Sequence, residues 1–175
     1  MLELVHARRR ILLIGLGAAL AAAAGGSAAG LGADATAAPR QTRTVTATLV
    51  PPDGSQGVKA TLVFVDDGSS LRVTGTATSL DPQKRYLSLI YDPGSQPSGP
   101  NACIPSVLPP VGGLSFDQMQ LGVWQPIGRA KRHLNARRVG VAYVPLSAIG
   151  TASIRRHDQT GPAASLPLIA CGAVR

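Results

Sequence analysis

Two cysteines and three histidines are the only thiol and imidazole groups in this chain of 175 residues. Cys103 stands in SGPNACIPS and Cys171 in IACGAV, while His133 lies in AKRHLNARR and His157 in SIRRHD. Two thiols can ligate a metal, form a disulfide or be unrelated. No histidine or aspartate accompanies either cysteine locally, and a transition metal needs three or four donors, so they make a poor metal set. A Ser–His–acid triad would require His133 or His157, and neither stands near a nucleophile motif. The carboxylates stand mostly in turns such as DDG, where aspartate favours the turn itself. The densest chemistry is cationic: Arg129, Lys131, Arg132, His133, Arg137 and Arg138 fall within ten residues, and Arg155 and Arg156 follow on a later segment. If IGRAKRHL and NARRVG form a hairpin, several of these cations share a face. Such a face attracts polyanions, here anionic envelope polymers or lipid headgroups. Specific nucleic-acid binding is not expected, because none of the six aromatics interleaves with the basic run as a stacking platform.

Which thiol chemistry applies depends on compartment. The chain opens MLELVHARRR, followed by the apolar ILLIGLGAALAAAA and by small residues that include ADA (33–35) and ATA (35–37). A charged region, an apolar region and a small-x-small site in that order read as a secretory signal over residues 1–37, cleaved near Ala37. An uncleaved run would instead tether the protein to a membrane. No cysteine lies near the junction to accept a lipid. Residues 38–42 form a short linker, and the remaining chain, 43–175, is one ordinary domain. The whole chain carries a formal charge of +8, and thirteen basic against seven acidic residues remain beyond Arg40. In an extracellular or envelope location, two thiols in one small domain are expected to form a disulfide.

The elements that must hold these groups are short and alternating. RTVTATLV puts Val45, Ala47 and Leu49 on one face and three threonines on the other. GVKATLVFV, SSLRVTGTATSL and RYLSLIYD follow, cut by Pro-, Gly- and Asp-rich turns. Period-two alternation with this punctuation predicts strands and hairpins. The stretch DPGSQPSGPNACIPSVLPPVGGLSFDQ, crowded with proline and glycine, reads as one long loop. Strands resume with MQLGVWQPIG, RRVGVAYVPL, GTASIRR and LPLIACGAV. About eight strands predict an all-β antiparallel sandwich or barrel. A bridge from Cys103 to Cys171 would tie the middle of the long loop to the last strand, worth about 4 kcal/mol in the chain-entropy model.

Taken together, IACGAV at the terminal strand, Cys103 in the long loop, and the opening VTATLVPPDGSQGVKATLVFVDDGSSLRVTGTATSL resemble the copper–zinc superoxide dismutase family. MQLGVW is similar to that family's G-D-L-G-N segment, and AIG before the penultimate strand has a counterpart too. The resemblance spans residues 43–174 and implies an eight-stranded Greek-key sandwich, export, and a disulfide between Cys103 and Cys171.

The metal ligands do not carry over. The family's H-V-H pair aligns with Ser88 and Ile90 in YLSLIYD, and the long loop holds no histidine. The zinc aspartate falls on Gln120, and the arginine that guides superoxide falls on Leu168. His157 is the one remnant ligand, and a single imidazole cannot hold copper. The expectation is an exported, superoxide dismutase-like sandwich without cofactor, acting as a binding or structural module of the cell envelope through its basic face. Two alternatives stand beside it: a divergent copper-dependent dismutase, with copper and zinc as cofactors, and a chordin-like binding domain.

Overall fold

A computed structural model describes residues 41–108, 111–158 and 161–175. The expected signal segment, 1–37, and most of the linker, 38–42, lie outside these. The described chain is all-β, with nine strands in two antiparallel sheets. They are β1 (Arg43–Leu49), β2 (Lys59–Asp66), β3 (Ser70–Thr78), β4 (Tyr86–Tyr91), β5 (Gln120–Val123), β6 (Gln125–Pro126), β7 (Lys131–Val139), β8 (Thr151–Arg156) and β9 (Leu168–Ala173). One sheet runs β1-β2-β3-β7-β6 and the other β5-β4-β8-β9. At one edge Val50, just past β1, exchanges backbone hydrogen bonds of 3.1 and 2.8 Å with Cys171 of β9.

The alternation read from the sequence sets which side of each strand is buried. Ala47 and Leu49 of β1, Leu62 and Phe64 of β2, Leu71 and Val73 of β3, and Leu134 of β7 face Ile90, Ala152, Ile154 and Ala170 of the other sheet. Burying a large aliphatic or aromatic side chain contributes about 1.5–3 kcal/mol, so this layer supplies the main driving force for folding. Trp124, 1% exposed, fills its centre. It fits because β3 carries Gly75 beneath it: a Cβ there would stand 3.0 Å from Trp124 Cη2 and 2.4 Å from Leu62 Cδ2.

The expected strand RRVGVAYVPL is corrected. Only Arg137–Val139 is extended, as the end of β7. Gly140 takes φ +59 and begins a short 3-10 turn, and a second turn spans Leu146–Ala148. Asp66 anchors this stretch, accepting from Tyr143 Oη at 2.8 Å and Leu146 N at 3.0 Å. The expected hairpin between IGRAKRHL and NARRVG is corrected as well. KRHLNARRV is one continuous strand, paired with β3 from Ser70↔Val139 to Thr78↔Lys131. Among the described residues, no helix is long and apolar enough to cross a membrane.

Candidate functional site

The two sheets treat their outer faces differently. On β4, Tyr86 and Ile90 point into the inter-sheet core, while Leu87, Leu89 and Tyr91 point outward. That outer face is nevertheless buried, because the long segment after β4 folds back over it. The bridge that fastens it is the one expected: Cys103 and Cys171 form a disulfide across 68 residues. Cys103 adopts φ +50 and donates its backbone N–H to Gln96 O at 2.8 Å. Asp92, at the start of the segment, clips it a second time. Its carboxylate accepts from the Ser106 hydroxyl and from the backbone of Ser106 (3.1 Å), Gly94 (3.2 Å) and Val107 (3.4 Å). Burial acts to raise the Asp92 pKa, but these donors outweigh it and hold the carboxyl below its usual value.

Beneath the loop lies a polar network that the sequence reading missed. Arg155, 5% exposed, sends Nε to Tyr91 Oη at 2.8 Å, Nη2 to Cys103 O at 2.8 Å and Nη1 to Leu166 O at 2.5 Å. Tyr91 Oη also lies 3.0 Å from Ser153 Oγ, and the guanidinium sits 5.9 Å from the Tyr91 ring centroid. Thr151 donates to Ser95 Oγ at 2.9 Å. A buried guanidinium without a carboxylate is tolerated because carbonyls and a phenol take up its donors. One hint was present in the sequence: strand alternation puts Ser153 and Arg155 on the side of β8 opposite Ala152 and Ile154.

The positions that the resemblance assigned to metal hold no ligand set. Ser88 and Ile90 lie on the inner side of β4, and Ser88 Oγ donates to Ser153 O at 2.6 Å. The outward pairs at i and i+2 are Leu87/Leu89 and Leu89/Tyr91. Gln120 is exposed at the start of β5. Leu168 packs beside the disulfide, directly opposite Arg155 in the β8–β9 register. His157 is half-buried, its backbone N–H bonded to Arg85 O at 2.8 Å and its Nδ1 without a partner. Both thiols are consumed by the disulfide, and His133 stands on the other sheet. Among the described residues no three His, Cys, Asp or Glu side chains converge as a metal site. The residues present do not fit a copper or zinc ion.

The seven cations expected to share a patch do not all reach it. Arg132 is 6% exposed and turns inward; its Nη2 lies 3.0, 3.0 and 2.9 Å from the carbonyls of Asp81, Pro82 and Lys84, and its guanidinium covers the Tyr86 ring. Arg155 is the buried network residue just described. Arg138 is half-buried at the end of β7, where burial lowers its pKa against the opposing pull of Asp117. Arg156 pairs with Asp158 at 2.9 Å, which Lys84 also approaches at 3.4 Å. The cause is the strand itself: alternate residues of KRHLNARRV point to opposite faces. Of the seven, Arg129, Lys131 and Arg137 are exposed and form no ion pair among the described residues.

The register supplies two cations that the sequence reading left out. Across the open face of the five-stranded sheet, Lys59 and Lys131 flank Thr78, and Arg72 lies directly opposite Arg137. Between these rows run Thr48–Thr61–Thr76–His133 and Thr46–Val63–Thr74–Asn135. Among the described residues no carboxylate belongs to this face. A shallow, open groove of about 350 Å³ lies at its centre, bordered by Thr61, Thr74, Thr76 and His133, whose Nδ1 has no partner.

Compared with protein-family models and with curated proteins, the chain matches none.

Proposed function

We propose that this protein is an exported β-sandwich of the superoxide dismutase-like type that has lost the metal chemistry and serves as a binding module in the cell envelope. Three features support the scaffold. The first three strands form a meander, and its third member pairs with the sequence-distant β7 while β4 joins the other sheet. The long loop follows β4. The disulfide joins that loop to the last strand, and its presence is consistent with an oxidising compartment.

The observation that carries the loss of chemistry is the outer face of β4 and β8. Leu87, Leu89 and Tyr91 stand where ligands at i and i+2 would have to point, and Arg155 fills the space beneath the loop. The resemblance places a substrate-guiding arginine at Leu168. A guanidinium does come from the neighbouring strand, but Arg155 is sealed and bonded to carbonyls, so it cannot meet a substrate. Scaffold alone does not license a reaction. Binding falls instead to the open cationic sheet face, which suits anionic envelope polymers.

Metal analysis after exposure of the purified protein to copper and zinc, followed by dialysis, tests this reading. Neither metal is expected to remain, and superoxide decay is expected at the rate of buffer. Retention of near one equivalent of copper, with superoxide consumption above a His157→Ala control, would return the protein to the dismutases.

A further inference from the structure

We infer that the open face of the five-stranded sheet docks an extended anionic polysaccharide, with the directly opposed Arg72 and Arg137 forming its principal anion site. This rests on the binding-module reading above and names the surface and the ligand class.

Like charges directly opposite each other in a ladder destabilise a sheet, because their Cβ atoms stand only about 5 Å apart. Arg72 and Arg137 are such a pair, exposed and without a carboxylate partner among the described residues. The nearest acidic residue on the β2–β3 turn, Asp67, is already taken up by Ser69 and Ser70. The fold gains nothing from the pair, since the inner faces of β3 and β7 supply the packing. A bound anion removes the repulsion, and two guanidinium forks side by side can each receive a carboxylate or similar group in bidentate fashion.

A second cationic row, Lys59 and Lys131, lies six residues further along the strands, about 20 Å away. The threonine hydroxyls between the two rows both donate and accept hydrogen bonds, as sugar hydroxyls do. A chain whose anions recur between hydroxyl-bearing units therefore finds cation, hydroxyl field and cation in sequence. A nucleic acid would need aromatic platforms, and this face has none. A bilayer surface would need large apolar side chains projecting between the cations, and in the rows between them the one apolar side chain is the half-buried Val63, at the edge of a groove.

The test is fluorescence anisotropy with end-labelled oligogalacturonate, a linear polyuronate, at low and at near-physiological salt. Uncharged dextran, a single-stranded DNA oligomer and phosphatidylglycerol vesicles serve as parallel probes. The wild type is expected to bind the polyuronate in a salt-sensitive way and to ignore dextran. Arg72→Gln/Arg137→Gln should weaken binding by at least about tenfold, while Arg85→Gln, ahead of β4 in the other sheet, changes it by less than about twofold. Melting gives an independent reading: Arg137→Glu should raise the melting temperature of the free protein and abolish the further rise that polyuronate gives the wild type. If the double variant fails to fold, Lys59→Gln/Lys131→Gln replaces it and should weaken binding likewise. Equal binding by wild type and every folded arginine or lysine variant would overturn this face while leaving the module reading intact. No polyuronate binding by the wild type would overturn the inference, and no binding to any anionic probe would remove the module reading too. Tighter arginine-dependent binding of DNA or vesicles would overturn the polysaccharide assignment.

Discussion

Replacing Arg155 by methionine removes the charge and keeps the apolar stem, but it leaves the partners behind. Cys103 O, Leu166 O and Tyr91 Oη currently accept from the guanidinium at 2.8, 2.5 and 2.8 Å. Each buried acceptor left without a donor costs about 1–3 kcal/mol, and relief of the buried charge returns part of that. Two of the three acceptors are main-chain carbonyls that no rotamer change can remove from the site. The net loss is therefore set at about 3–5 kcal/mol. For a domain of this size each kcal/mol moves the melting temperature by about 3–5 °C, so Arg155→Met should melt about 10–20 °C below wild type. The measurement is urea and thermal unfolding under non-reducing conditions, with mass spectrometry confirming an intact disulfide. Tyr91→Phe gives the partner arm: about 1–2 kcal/mol alone, and a coupling of similar size with Arg155→Met in a double-mutant cycle. An Arg155→Met protein within about 0.5 kcal/mol of wild type, or a coupling near zero, would refute the claim that this guanidinium holds the loop to the sheet.

Two further outcomes follow from the same loop. Cys103→Ser/Cys171→Ser opens a closure of 68 residues and should cost about 4 kcal/mol in the chain-entropy model. Proteolysis of the double variant should begin between Asp92 and Ser115, and cleavage first at the β-strands would contradict the tether. The Asp92 carboxyl is held below the ordinary aspartate value in the folded protein. Its contribution is thus complete above the unfolded-chain pKa of about 3.9 and is lost as pH falls through the folded-state value. Urea midpoints measured from pH 7 down to pH 2 should show a steeper acid limb for wild type than for Asp92→Asn. Parallel limbs for the two proteins would show that Asp92 is not the titrating clip.

The strands and the bridge were legible because their signals are local or combinatorial. Alternation marked β1, β2, β3, β4 and β8 to within a residue or two, and a pair of cysteines admits one intramolecular partner each. RRVGVAYVPL misled because its apolar residues alternate as a strand's do. The extended run stops where Gly140 takes a positive φ, and the Asp66 contacts to Tyr143 and Leu146 come from 77 and 80 residues away. Ser88 and Ile90 align with the ligand positions of the family that the sequence resembles. Which parity of β4 faces outward was decided by the sheet packed against it, and that put Leu87, Leu89 and Tyr91 under the loop instead.

The basic run holds the sharper lesson about charge and strands. Five cationic side chains within ten residues form a patch only if they share a face, and a strand deals them alternately to two faces. Arg132 went to the carbonyls of the β3–β4 connection, and Lys131 and Arg137 went to solvent. The cations that complete the solvent face, Lys59 and Arg72, come from β2 and β3: Arg72 stands 65 residues before the Arg137 it opposes, and Lys59 stands 72 residues before Lys131. Register between distant strands therefore decides both halves of this protein's electrostatics. It buries one arginine where charge density in the sequence was highest, and it brings Arg72, which the sequence shows alone, into opposition with Arg137 of the basic run.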